Sequence, residues 1–376
     1  MRGPAADLPG MDALETPVPL VDLDRMERNL DRAAAYAAEH RLALRPHTKT
    51  HKSPRLAASQ RERGAVGVTV ATTREAEAMA ETVGDVLVAY PPVGEARARR
   101  LAEVAGRVRL AVALDSDAAL ADIAVAARSA GVEVGVLIEF DAGMGRCGVG
   151  RPGAAVDLAR EAARARGVRF DGLLFYPGHI RQPVPEQGDD MRRLDATVAA
   201  FVEALDAAGL PAGIVSGGST PTLWHSHRVG AQTEIRPGTY VFNDRTTEAI
   251  GACGWDDCAY TVLATVVSTA VGGQAVIDAG SKALGREPLR SAGAGEGLGA
   301  LLDRPEVIVV RASEEHGILD LAATDWRPRV GDRVRVVPNH VCVSVALHEA
   351  VYGVRGAAVA DAWPVAARGR ARGERR

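Results

Sequence analysis

The sequence predicts a (β/α)8 barrel followed by a smaller β domain, and three observations lead there. Between residues 18 and 241 short apolar runs alternate with Ala-, Arg- and Glu-rich stretches of helical period. Those runs are apolar on both sides, as parallel strands covered on two faces must be. Near residue 250 the texture changes to Val- and Thr-rich segments separated by Gly, Pro and Asp turns. An open, doubly wound sheet is the main alternative to the barrel.

The first expected strand covers residues 19–23 and runs into a helix over 23–40, where Asp24 and Glu27 have the spacing of a capping box. Further strands are expected at 43–49, 66–71, 85–90, 108–114, 134–140, 170–176 and 214–217, completing a set of eight. The stretch 190–208 has apolar residues at helical spacing. In the second half, 260–269, 274–278, 307–312 and 333–338 read as strands. The expected boundaries are 17–245 for the barrel and 246–367 for the β domain, to which residues 1–16 can be added. Residues 368–376, Arg- and Gly-rich, read as a flexible tail.

A chain of 376 residues exceeds the usual single-core size, in keeping with two domains. Its net charge of −3 gives no nucleic-acid footprint, so small polar metabolites are the expected partners. Residues 1–12 lack the apolar run of a signal peptide or membrane span, which points to a cytoplasmic protein without a membrane partner. Cys147, Cys253, Cys258 and Cys342 are too few and too scattered for a disulfide framework. Cys253 and Cys258 have no second pair at zinc-finger spacing.

The chemistry concentrates in five places. Lys49, within Arg45-Pro46-His47-Thr48-Lys49-Thr50-His51-Lys52, falls at the carboxyl end of an early strand. Active sites of such folds lie there, and a desolvated lysine can form a Schiff base, which suggests pyridoxal phosphate. Ser216-Gly217-Gly218-Ser219-Thr220 follows the last barrel strand and precedes Pro221, a turn suited to a phosphate. Gly143-Met144-Gly145-Arg146-Cys147-Gly148 matches a dinucleotide pattern but comes after the wrong unit, and reads better as a tight loop presenting Arg146. Tyr176-Pro177-Gly178-His179 ends a strand at the same mouth, where either ring could bond a cofactor or move a proton. His340-Val341-Cys342 follows a strand of the second half; if extended, it puts imidazole and thiolate on one side, two donors for one metal.

Together with Thr16-Pro17-Val18-Pro19-Leu20-Val21-Asp22, Arg236-Pro237-Gly238-Thr239-Tyr240 and Glu315-His316-Gly317, these motifs resemble the D-threonine aldolase and eukaryotic-type D-serine dehydratase family. The family is one of pyridoxal phosphate enzymes with an alanine-racemase-like barrel. The resemblance implies that Lys49 bonds pyridoxal phosphate, that Gly217, Gly218, Ser219 and Thr220 surround its phosphate, and that Arg146, Tyr176 and Tyr240 lie about the cofactor. It implies a divalent metal, zinc or manganese, on His340 and Cys342, with His316 near it. It further implies a homodimer with shared active sites and a small D-amino acid substrate.

Two outcomes fit that chemistry. Removal of the β-hydroxyl proton, with His179 as candidate base, breaks Cα–Cβ and gives glycine and an aldehyde. Removal of the Cα proton by Lys49, with metal-assisted departure of hydroxide, gives a 2-oxo acid and ammonia. His340 paired with Cys342 resembles the dehydratases for D-serine and D-threo-3-hydroxyaspartate, whereas the segment after Tyr176 is shorter than those dehydratases carry, and the texture around Ser216–Thr220 and Arg236–Asp244 is closer to bacterial aldolase-like members. Retro-aldol cleavage is the expectation and dehydration the alternative. An amino-acid racemase and a non-catalytic pyridoxal phosphate carrier fit less well, because neither needs a His-Cys metal pair in a second domain.

Overall fold

The structure, a computed structural model, describes residue 8, residues 10–289 and residues 297–369. Residues 370–376, most of the expected tail, lie outside the described residues. The chain divides into two compact units. One comprises Arg32–Gly238 and the described residues from Ala367 onward; the other comprises the described residues up to Asp31 together with Thr239–Ala366.

The first strand, β1 (Val18–Asp22), belongs to the second of these units, which corrects its expected place in the barrel. The barrel strands are β2 (Ala43–Leu44), β3 (Val68–Val70), β4 (Asp85–Val88), β5 (Arg109–Leu114), β6 (Val134–Glu139), β7 (Val168–Leu174), β8 (Ile214–Gly217) and β9 (Glu234–Ile235). Each pairs in parallel with its neighbour, in the order β3 to β9 and then β2. A parallel bridge from His47 to Thr69, with the Thr69 N–H donating to the Pro46 carbonyl at 2.8 Å, joins the two remaining edges. The eighth strand is therefore β9, absent from the sequence reading.

Local chemistry explains the helices that alternate with these strands. Ser53 caps the helix Pro54–Glu62, its hydroxyl accepting the Leu56 N–H while Pro54 opens the first turn. Thr72 caps Thr73–Met79 in the same way, and Gly131, at φ 67°, ends Asp117–Ala130. Alternate strand residues face the helices or the barrel interior, where Leu87, Ala113, Leu137 and Leu174 form one apolar layer. Asp85, two residues before Leu87, shares its face and bonds buried Arg45 at 2.5 Å; Arg45 Nε also donates to Glu234 at 2.7 Å.

In the second unit, β10 (Tyr260–Ser268), β11 (Gln274–Ile277), β12 (Gly299–Leu301), β13 (Arg304–Ala312), β14 (Gly317–Asp320) and β15 (Arg333–Pro338) form an antiparallel ring, ordered β10-β11-β14-β13-β12-β15 and back to β10. Beside it, β1 lies between β10, which it meets antiparallel, and β16 (Ala350–Arg355), which it meets parallel; β17 (Ala358–Pro364) is the edge. The helix after β1 begins at Leu23, and Asp22 accepts the Arg25 N–H at 3.0 Å. The expected cap residues Asp24 and Glu27 instead bond Arg355. Among the described residues no helix is long and apolar enough to cross a membrane.

Candidate active site

Lys49 sits in a single 3-10 turn, Thr48–Thr50, directly after the bridge residue His47. The expected strand through residue 49 stops at Leu44, because Pro46 has no N–H to pair and Lys52 N–H turns back to the Thr48 carbonyl. Lys49 Nζ lies 5.7 Å from the centre of the Tyr176 ring, and the Arg146 guanidinium lies 4.9 Å from the same centre. The structure thus brings two of the expected site residues, Lys49 and Arg146, to the ring of a third, Tyr176. Half-buried His47 is held well below the usual imidazole range by loss of solvent and by the charges of Lys49, Arg236 and Lys52.

Arg146 is presented by a loop wound around Asp141. One oxygen of that carboxylate accepts the N–H groups of Gly143, Met144 and Gly145 at 3.0, 2.8 and 3.0 Å. Gly143 has φ 112°, and a Cβ there would stand 3.1 Å from the His179 ring. The exposed imidazole of His179 therefore packs on this glycine. Glu139 approaches Arg146 at 3.9 Å, and burial raises its pKa against the pull of Arg236 and Arg146.

The turn after β8 is as compact as its glycines require. A Cβ on Gly217 would fall 2.1 Å from the Phe175 ring, and Gly218 has φ 81°. Ser219 and Thr220 are buried behind it, with Ser219 Oγ 3.0 Å from the Thr222 hydroxyl. Arg236 underlies the turn, donating to Ser216 Oγ at 2.7 Å and to the Phe175 carbonyl at 2.8 Å. Burial lowers its pKa to about 10, although Glu234 and Glu139 oppose the shift.

The remaining expected residues lie in the β unit. Tyr240 is buried in the 3-10 turn Thr239–Val241. His340 precedes the helix Val341–Leu347, and Cys342 lies in its first turn, so the pair is not on an extended segment as expected. The cause is Asp244, whose carboxylate accepts the Val341 N–H at 3.0 Å and meets His340 Nδ1 at 3.1 Å. Imidazole and thiol nevertheless stay together. Burial opposes a charge on His340, yet Cys342 and Asp244 outweigh it and raise the imidazole to about 11. His316 is exposed on the turn between β13 and β14. Among the described residues no group of three or more His, Cys, Asp and Glu side chains is placed to hold a metal, so His340 and Cys342 stand as a pair of donors.

Residues 21–246 match the family model described as "Alanine racemase, N-terminal domain", and residues 259–354 match "Putative serine dehydratase domain". The 3-hydroxy-D-aspartate aldolase of Paracoccus denitrificans (strain Pd 1222) is 34% identical over 96% of this chain and 95% of its own. The D-threonine aldolase structure from Filomicrobium marinum superimposes with a TM-score of 0.89, at 34% identity, over 97% of this chain and 99% of that one. The chain belongs to the D-threonine aldolase and D-serine dehydratase family. A third family member, the D-threo-3-hydroxyaspartate dehydratase from Delftia sp. HT23, superimposes with a TM-score of 0.86 at 33% identity, over 97% of this chain and 100% of that one. A cysteine-to-alanine variant of a dehydratase of that name is solved in the metal-free form. Like its family, the protein is a pyridoxal phosphate-dependent lyase with an alanine-racemase-like barrel.

The barrel unit fits that cofactor. A turn with no room for a Cβ at Gly217 and a positive φ at Gly218, backed by a buried guanidinium, suits a phosphate group, and Lys49 beside Tyr176 and Arg146 supplies the amine. In the β unit, an imidazole and a thiol side by side, with the buried carboxylate of Asp244 behind the imidazole, are donor types that a borderline divalent metal takes. Sequence reasoning passed over Asp141 and the part played by Asp244. The Asp-x-Gly spacing after β6 could have shown the first, since Asp side chains bond amides two or three residues on; Asp244, nearly a hundred residues from its partners, left no local signal.

Proposed function

We propose that the protein is a pyridoxal phosphate- and divalent metal-dependent lyase for D-configured β-hydroxy-α-amino acids, cleaving D-threonine-like substrates to glycine and an aldehyde. The observation that carries this reading is the imidazole of His179, seated on Gly143 of the loop that also presents Arg146. Retro-aldol cleavage needs a base for the β-hydroxyl proton, and His179 is an exposed base beside that loop. When bound, pyridoxal phosphate supplies an electron sink for Cα, and a metal supplies a Lewis acid for the β-oxygen.

The chain's own residues divide the work. Lys49 would bond the cofactor, and Gly217, Gly218, Ser219 and Thr220 would hold its phosphate. Arg146 and Tyr176 would orient its ring, and Tyr240 is a further residue assigned to the cofactor. His340 and Cys342 hold the metal, with zinc favoured by the thiolate and manganese the alternative. His179 takes the hydroxyl proton as Cα–Cβ breaks, and Cα is then reprotonated to give glycine.

Dehydration is the second reading, favoured by Cys342 beside His340 and by the likeness to a D-threo-3-hydroxyaspartate dehydratase. In it Lys49 removes the Cα proton and the β-oxygen leaves as water. We further assign the protein to the cytoplasm, and as a homodimer with shared sites, the second of these supported by the family resemblance.

Product analysis decides between the outcomes. With D-threonine, pyridoxal phosphate and zinc or manganese, we expect glycine and acetaldehyde, lost on chelation and restored by metal. Metal-dependent 2-oxobutanoate and ammonia would replace the aldolase with the dehydratase, and absence of both product pairs would remove the lyase reading for this substrate. Lys49→Ala should lose both the cofactor's bound absorbance and turnover; a variant keeping them would overturn its role.

A further inference from the structure

The carboxylate of Asp244 is fully buried and joins the starts of two helices. Its Oδ1 accepts the Thr247 N–H at 2.9 Å, while Thr247 Oγ1 accepts the Asp244 N–H at 2.8 Å, capping the helix Arg245–Ala249. Its Oδ2 accepts the Val341 N–H at 3.0 Å and lies 3.1 Å from His340 Nδ1. Both oxygens are thus engaged, and only 1% of the side chain is exposed against 27% for His340. Asp244 is not placed as a third metal donor. A carboxylate oxygen only accepts hydrogen bonds, so Nδ1 must carry the proton it shares with Asp244. In the neutral imidazole that a metal requires, the lone pair of His340 is then on Nε2.

From this we infer that Asp244 is a positioning residue that fixes the Nδ1–H tautomer and the ring plane of His340, leaving Nε2 as its metal-binding atom. The inference rests on the reading of His340 and Cys342 as metal donors and says which imidazole nitrogen is used and what selects it. A carboxylate behind a ligating histidine raises its basicity and restrains its ring, and losing such a partner typically weakens metal binding about 10–100-fold.

Asp244→Asn keeps the cap of the helix Arg245–Ala249 and changes the oxygen that faces Val341 N–H and His340 Nδ1. Asparagine is as good an N-cap as aspartate, and its amide oxygen can keep the Thr247 N–H. Its NH2 group would replace Oδ2 and point protons at Nδ1, favouring the Nε2–H tautomer, which has no lone pair on Nε2 for a metal. Zinc affinity would be measured on the pyridoxal phosphate-loaded protein by competition with a chromophoric chelator, with cofactor absorbance and circular dichroism reporting the fold. We expect wild type to bind one zinc per chain, His340→Ala to bind none, and Asp244→Asn to keep its spectra while binding about 10–100-fold more weakly. Equal affinity in Asp244→Asn would overturn the inference and leave the metal pair standing. Wild type that binds no zinc would overturn both. If Asp244→Asn does not fold, nitrogen NMR of histidine-labelled, zinc-loaded wild type decides: a proton on Nδ1 and metal on Nε2 is expected for His340, and metal on Nδ1 contradicts it.

Discussion

His51 lies inside the barrel unit, two residues beyond Lys49, where its Nδ1 accepts the Ser53 N–H at 3.1 Å. Burial lowers its pKa from 6.5 to about 4. Between those values the unfolded chain binds more protons than the folded one, so stability is complete above the unfolded pKa and is lost as pH falls toward 4. The full effect is about 3 kcal/mol. The urea midpoint should therefore fall between pH 7 and pH 4.5, and His51→Gln should flatten that dependence. An unchanged slope in the variant would show that His51 is not the group responsible. Lys49, Arg146 and Tyr176 were legible as chemistry from short motifs because each sits at a strand end or in a glycine loop. Their convergence on one ring was not, because the barrel's curvature brings them together and spacing does not encode it.

The shortest barrel strands show why elements differ in legibility. β9 has two residues, one of them Glu234, so it offers no apolar run to read. Its place is set by long-range polar contacts: Glu234 accepts from Arg45 Nε at 2.7 Å and from Ser216 Oγ at 2.5 Å. Removing one partner of a buried ion pair leaves the other uncompensated and costs about 3–5 kcal/mol. Glu234→Ala should lower the unfolding free energy by that amount in urea titrations, and a loss below about 1 kcal/mol would mean that Asp85 alone satisfies Arg45. β1 was misplaced for the opposite reason. Its sequence Val-Pro-Leu-Val-Asp is buried at four of five positions, the same texture as a barrel strand, and composition does not say which sheet will take it.

At the scale of the whole molecule, the expected barrel and following β domain are both present, and the texture change near residue 250 marks the start of the antiparallel ring at Tyr260. The proposed homodimer is tested by light scattering, which should give about twice 39.4 kDa. Mixing inactive Lys49→Ala with inactive His340→Ala tests whether sites are shared. A mixed dimer regains one intact site if lysine and histidine come from different protomers, and none if both come from the same chain. No recovery after verified subunit exchange would exclude sharing.

The position of β1 also bears on how the protein is made. Residues 18–22 are synthesised before every barrel strand, yet their sheet partners, at 260–263 and 352–354, are synthesised after all of them. The barrel strands between residues 43 and 235 can pair while translation continues. Throughout that interval an apolar segment has no sheet to enter, so the nascent chain carries an exposed, aggregation-prone stretch for most of its synthesis. A chain released near residue 240 would keep its barrel strands and carry that orphan segment permanently, making it a substrate for chaperones or proteases.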